Sequence, residues 1–289
     1  MKWSIAHLLL MTACLESKEQ NEDVPVWSPI EFTQITTGAW HSCGIRTDAS
    51  VLCWGDDMYG QSTPPDELFT QITGGLEHTC GIHSDQTATC WGSNGYGQID
   101  VPDATFVQLS AGVSHSCGLK TDNSVICWGN DEYGQASPPN GNFQSVSTGE
   151  FHSCGILSTG EIQCWGNDSY GQSTPPAGTF IQVSAGLQHT CGLQESGVIA
   201  CWGDQEQEPP NLLFESISIG LEHSCGLKNN QMVECWGNDE YGQSTPPNRS
   251  FQQISVNGWH SCAIDSDSFV QCWGTDAAGE SSPPKESLH

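Results

Sequence analysis

Fourteen of the chain's fifteen cysteines fall into seven pairs of identical spacing, and no other feature limits the fold as much. The pairs are Cys43/Cys53, Cys80/Cys90, Cys117/Cys127, Cys154/Cys164, Cys191/Cys201, Cys225/Cys235 and Cys262/Cys272, each with nine residues between its members. Their first members are 37 residues apart, except that Cys191 to Cys225 is 34, because the sequence after Trp202 is short. A fixed period of roughly 20–50 residues marks a repeat architecture. Each unit reads Phe-x-x-Ile/Leu/Val, Gly-x-x-His-Ser/Thr-Cys-Gly (Asn-x-x-His-Ser-Cys-Ala in the last), a turn, Cys-Trp-Gly, and usually Tyr-Gly-Gln and Pro-Pro. The units begin at Phe32, Phe69, Phe106, Phe143, Phe180, Phe214 and Phe251. With Gly 32, Pro 15 and only 36% apolar residues, long packed helices are excluded in favour of a loop-rich all-β fold.

The register within a unit follows from the pairs. A hairpin centred on Asp48 sets Cys43 opposite Cys53 and Ile45 opposite Val51 on one side of the sheet. The equivalent pairs Ile82/Ala88, Leu119/Val125, Ile156/Ile162, Leu193/Ile199, Leu227/Val233 and Ile264/Val270 are all apolar. Opposed positions outside the hydrogen-bonded pairs lie within disulfide reach, so one disulfide per unit is predicted. Each such short loop contributes about 2–3 kcal/mol in the chain-entropy account. An odd spacing requires a three-residue turn, whose third residue favours a left-handed conformation. Asn123, Gly160 and Gly197 suit that place, whereas Ala49 and Gln86 do not. Zinc is the rival use of these cysteines, since His41, Cys43 and Cys53 share a face, but a fourth ligand is missing. No metal and no cofactor is expected.

On the opposite side, Ser42 and Gly44 are small where Trp54 and Leu52 need room, and Ala263 replaces the glycine in the last unit. Both sides of every sheet must then pack on a neighbour. An open stack leaves two bare ends, and a closed ring leaves none. Gly-x-x-His-Ser-Cys-Gly followed by Cys-Trp-Gly-Asn-Asp-x-Tyr-Gly-Gln resembles the repeat of the regulator of chromosome condensation superfamily over residues 30 to 284. That resemblance implies a seven-bladed β-propeller. The paired cysteines are similar to those of exported bacterial members. The likeness extends to the β-lactamase inhibitor protein of the second type, which binds its enzyme through loops on one face.

Residues 1–14 read as an export signal, with Lys2, a short apolar run and small residues before Cys14. This resembles a lipobox, which makes Cys14 a lipidation site. Residues 15–29 form an acidic tether, and 30–289 the propeller. The expected location is outside the cytoplasm, as an outer-membrane or cell-surface lipoprotein, with a secreted or periplasmic protein as the alternative. The membrane is then reached only through the lipid.

Lys+Arg 7 against Asp+Glu 34 gives a net charge of -27, which repels nucleic acid. There is no Gly-x-Ser-x-Gly elbow, phosphate loop or His-Glu-x-x-His, and the Asn-Asp-Glu-Tyr-Gly-Gln segments read as turns. The repeated histidine is expected to bond the backbone inside its own blade. The residue before it varies freely: Trp40, Glu77, Ser114, Phe151, Gln188, Glu222 and Trp259. Ring closure brings Trp259 beside Trp40. Trp40, Glu77, Phe151, Glu222 and Trp259 are therefore the expected contacts for a partner, a protein or a glycan of the envelope or cell exterior, on a monomeric, non-enzymatic propeller. The alternatives are an inhibitor of a secreted enzyme of the β-lactamase type, a carbohydrate or cell-wall binder, and a hydrolase or lyase using rim carboxylates.

Overall fold

The computed structural model describes residues 26–204 and 208–288. Cys14, the export signal and most of the tether lie outside the described residues. Among those described there is no helix, and seven three-stranded antiparallel sheets follow one another in sequence. Blade one consists of an inner strand Phe32–Thr37, a middle strand His41–Arg46 and an outer strand Val51–Gly55. The seven blades form a ring, and the inner strands of neighbours, including those of blades seven and one, lie against each other.

The predicted register holds in every blade. Cys43 pairs with Cys53, Ile45 with Val51 and His41 with Gly55, and the same alignment recurs six times. The disulfides Cys43–Cys53, Cys80–Cys90, Cys117–Cys127, Cys154–Cys164, Cys191–Cys201, Cys225–Cys235 and Cys262–Cys272 are all formed, with α-carbons 4.0–4.1 Å apart. The sulfurs that zinc would require are thus bonded to each other. The two members of a pair differ in their surroundings, which spacing alone does not reveal. The middle-strand cysteines are fully buried, with a blade on either side and a strand on either edge. Cys53, Cys90, Cys127, Cys164, Cys201, Cys235 and Cys272 are only partly buried, because the outer strand that carries them has no strand beyond it.

The hairpin turn is left-handed at its third residue even without glycine or asparagine, with φ of 69° at Ala49, 72° at Gln86 and 68° at Ser268. In the first of these an aspartate one residue earlier compensates, as Asp48 accepts the Ser50 amide and hydroxyl.

The core lies between blades. The disulfide side of one blade packs on a phenylalanine and a tryptophan of the next: Cys43, Ile45 and Val51 meet Phe69, Ile72 and Trp91. The last of these layers joins Cys262, Ile264 and Val270 to Phe32, Ile35 and Trp54, which closes the ring. The glycine of the middle strand serves a different neighbour from the one expected. A Cβ on Gly44 would meet the Phe32 ring at 2.4 Å, so the space is taken by the inner-strand phenylalanine rather than by Trp54 or Leu52.

Two further devices link blades. Gln34 donates to the Ile72 carbonyl and accepts from the Ile72 amide, imitating a strand pair across the gap between sheets. Gln253 makes the same two bonds to Ile35 across the closure. The chain ends meet as well, because strand Val26–Pro29 pairs antiparallel with strand Lys285–Leu288. Val26–Pro29, the last four residues of the segment read as a tether, are therefore a strand.

Candidate partner-binding face

One face of the ring carries the hairpin turns at Asp48 and its equivalents. The other carries two sets of loops, called the loop face below. Its inner loops run Gly-x-x-His into the middle strand, and its outer loops leave the outer strand at Gly55. The outer loop of blade one is built by its own side chains. Gln61 accepts from the Tyr59 amide at 2.9 Å and donates to Asp56 at 2.7 Å, while the Asp57 carboxylate accepts from the Ser62 amide and the Thr63 hydroxyl. Gly60 supplies a φ of 84° in open space. The turn reading of these segments holds.

That loop is also a wedge. The buried Gln61 carbonyl accepts from Trp91 Nε1 at 3.0 Å and from Thr79 Oγ1 at 3.2 Å, both in the next blade. Since Thr79 commits its only hydroxyl proton there, it accepts from His41 Nε2–H at 2.8 Å. The histidine is thereby fixed as the Nε2–H tautomer, with Nδ1 buried and unpartnered. The same chain runs from His78 through Ser116 to Gln98 and from His115 through Ser153 to Gln135. At the closure it runs from His260 through Ser42 to Glu280, which replaces glutamine. The histidines therefore bond a hydroxyl of the neighbouring blade, not the backbone of their own. Burial lowers their pKa to about 4 at His41 and His115 and about 3 at His78, His152 and His260.

Blade five departs. Its outer loop is three residues shorter and has no Tyr-Gly-Gln, and residues 205–207 lie outside the described residues. His189 Nε2 stands 3.4 Å from Ser224 Oγ, and the buried Trp236 Nε1 has no acceptor among the described residues. A cavity of about 620 Å³ opens beside it, lined by Gln188, Asp204, Glu222 and Asn238 among others.

The five expected contact residues all fall on the loop face, and the fourteen bonded cysteines lie away from it, within the strands. Trp40 and Trp259 meet, with ring centroids 4.6 Å apart, so each is half-buried by the other rather than fully exposed. Gly258 makes this approach possible, since a Cβ there would strike the Ala39 carbonyl at 2.2 Å. Phe151 packs instead on Tyr133 at 5.2 Å, and Glu222 accepts from Asn238 at 3.0 Å. The central channel is lined by hydroxyls such as Thr36, Thr73, Ser110 and Ser147, with Leu76, Val113 and Leu221 at its mouth. Glu150 occupies the equivalent inner-loop position of blade four, half-buried, and burial raises its pKa. Among the described residues no group of three His, Cys, Asp or Glu is placed to hold a metal.

Residue reading alone missed the tyrosines. All five in the chain, Tyr59, Tyr96, Tyr133, Tyr170 and Tyr241, stand on the loop face at 47–62% exposure. Their recurrence made them look structural, yet blade seven builds the same loop with Ala278, whose amide donates to Glu280 at 2.7 Å. The loop needs the backbone and not the ring.

No curated protein sequence matches the chain. Among solved structures, the entire ectodomain of the Physcomitrella patens receptor kinase CR4 is 28% identical, with a TM-score of 0.74 over 85% of this chain and 74% of that one. The CRINKLY WD40 ectodomain of the Arabidopsis thaliana receptor kinase ACR4 is 25% identical, with a TM-score of 0.71 over 88% and 99%. Yeast RCC1 (Prp20), solved bound to Kap60, shares the fold at 15% identity and a TM-score of 0.54, over 85% and 70%. The regulator of chromosome condensation (RCC1) repeat matches residues 32–61, 69–98, 106–135, 143–172, 180–207 and 214–243. Blade seven falls outside these matches, as expected of a unit with Asn257-Gly258, Ala263 and Glu280 in place of the usual residues. With six matched repeats covering more than half of its length and a seventh of the same build closing the ring, the chain belongs to the RCC1 repeat family.

Proposed function

We propose that the protein is an exported, non-enzymatic propeller that captures a partner protein through its loop face. The observation carrying this reading is the Trp40–Trp259 stack, formed by residues that the repeat leaves free to vary, at the one junction where the chain ends meet. Aromatic side chains set among carboxylates have the make-up of a binding hot spot. Seven disulfides suit an oxidising compartment, and the two plant relatives above are receptor ectodomains. Attachment through a lipid on Cys14, which follows small residues as in a lipobox, completes the proposal. The hydroxyls that line the channel suit hydrogen bonding to a bound partner.

The Trp40→Ala/Trp259→Ala variant is expected to abolish partner capture while lowering stability by only about 1–2 kcal/mol, the worth of one aromatic stack and some burial. Pull-down from envelope extract beside thermal melting checks this. Large destabilisation with capture retained overturns it.

A further inference from the structure

We infer that the partner presents arginine or lysine side chains to the loop face, which docks a cationic protein segment; this rests on the reading of that face as the binding surface. Acids stand on both faces of the ring, whereas the described cations are confined to one. Of the seven Lys and Arg, Lys2 and Lys18 lie outside the described residues. The other five, Arg46, Lys120, Lys228, Arg249 and Lys285, all sit on the hairpin face. Acids balance them there, with Lys120 on Asp122, Lys228 on Glu234 and Arg249 on the buried Asp265. The loop face has no cation among the described residues, yet it carries Glu77, Glu132, Glu222, Glu240 and an aspartate in most outer loops.

The tyrosines add a second, independent feature. Their rings are surplus to the loops that carry them, because Ala278 serves blade seven equally well, and they stay about half exposed. Exposed aromatic rings on a soluble protein hold water-facing apolar area that a partner can cover. A ring beside carboxylates offers a guanidinium or ammonium group both a π face and a counter-charge. Glu132 stands next to Tyr133, which leans on Phe151, and Glu240 stands next to Tyr241. An anionic or purely apolar partner would leave these carboxylates unpaired or repelled. Complementarity therefore selects a basic segment, which meets no competing cation among the described residues of this face.

The test uses the full chain and a fluorescein-labelled peptide of alternating arginine and glycine, followed by fluorescence anisotropy. Binding is expected to weaken about tenfold between roughly 20 and 200 mM salt, and to vanish when glutamate replaces arginine in the peptide. Tyr59→Ala/Tyr96→Ala/Tyr170→Ala should weaken it about tenfold or more with an unchanged melting temperature. Glu132→Gln/Glu240→Gln should weaken it, whereas Asp85→Asn/Asp122→Asn, which removes the same charge from the hairpin face, should leave it within about twofold. Equal loss in the two charge variants, salt-independent binding, or full binding by the tyrosine variant overturns the inference. If the peptide fails to bind while Trp40→Ala still removes a captured partner, the charge assignment falls and the binding face stands. If neither effect appears, both readings fall.

Discussion

The junction between blades one and two and that between blades five and six share nearly everything. Both have a disulfide side packed on a phenylalanine and a tryptophan, with ring centroids 5.5 Å apart at Phe69–Trp91 and 5.8 Å at Phe214–Trp236. Both link inner strands through a glutamine, Gln34 in one and Gln182 in the other. They differ in the outer loop. Where Gln61 is wedged, Trp91 finds its acceptor and His41 bonds Thr79 at 2.8 Å. Where that loop is short, Trp236 has none among the described residues and the histidine bond stretches to 3.4 Å. Strands and disulfides therefore build each blade, the apolar layer and inner-strand glutamine join neighbours at both junctions, and the loop glutamine adds a tie that only one of them has.

Acid should break this comparison most strongly. The ring histidines bind protons far less readily folded than unfolded, so between about pH 6.5 and the lowered values of about 4 to 3 the unfolded chain takes up more protons. Stability is whole above that window and falls as pH drops through it, because protonated His41, His78, His115, His152, His223 and His260 would each carry a buried Nδ1–H without an acceptor. A melting temperature that drops steeply from pH 7 to pH 4 is expected, with hydrogen exchange opening the five–six junction first. A flat profile would remove the histidines from the stability account.

A graft sharpens it next. Replacing residues 204–210 with the sequence of 167–176 gives blade five a Tyr-Gly-Gln loop like its neighbour's. It should raise stability by about 1–3 kcal/mol, since the buried Trp236 Nε1–H recovers an acceptor. Denaturant unfolding measures this, and no gain would mean that the short loop already satisfies the junction.

The smallest effect is the most discriminating. Trp91→Phe deletes a made hydrogen bond and should cost about 1–2 kcal/mol more than Trp236→Phe, which deletes an unmade one. Equal losses by denaturant unfolding would mean that the two indoles have equivalent surroundings.

The strand register was legible because each cysteine pair comes with an apolar pair two residues inward, and only one hairpin alignment opposes both in all seven units. Closure was legible because no side of a sheet could face water. The histidine bonds were not, since their partners, such as Thr79 for His41, lie a full repeat away and occupy a position that reads equally well as a small strand residue. Gln34 and Gln61 were hidden for a related reason. A polar side chain in a strand or loop looks solvated until the neighbouring blade supplies its partner. On the loop face, the variable position pointed to Trp40 and Trp259, whereas the tyrosines were masked by their own repetition.

The paired terminal strands fix an orientation. Glu31 bridges to Phe269, so the chain enters blade one on the hairpin side, beside the point where Lys285 leaves blade seven. Whatever is joined to either end, whether a surface, a fusion domain or a sensor chip, holds the ring by its underside. The tyrosines then look outward, and a molecule arriving from solution meets the carboxylates first.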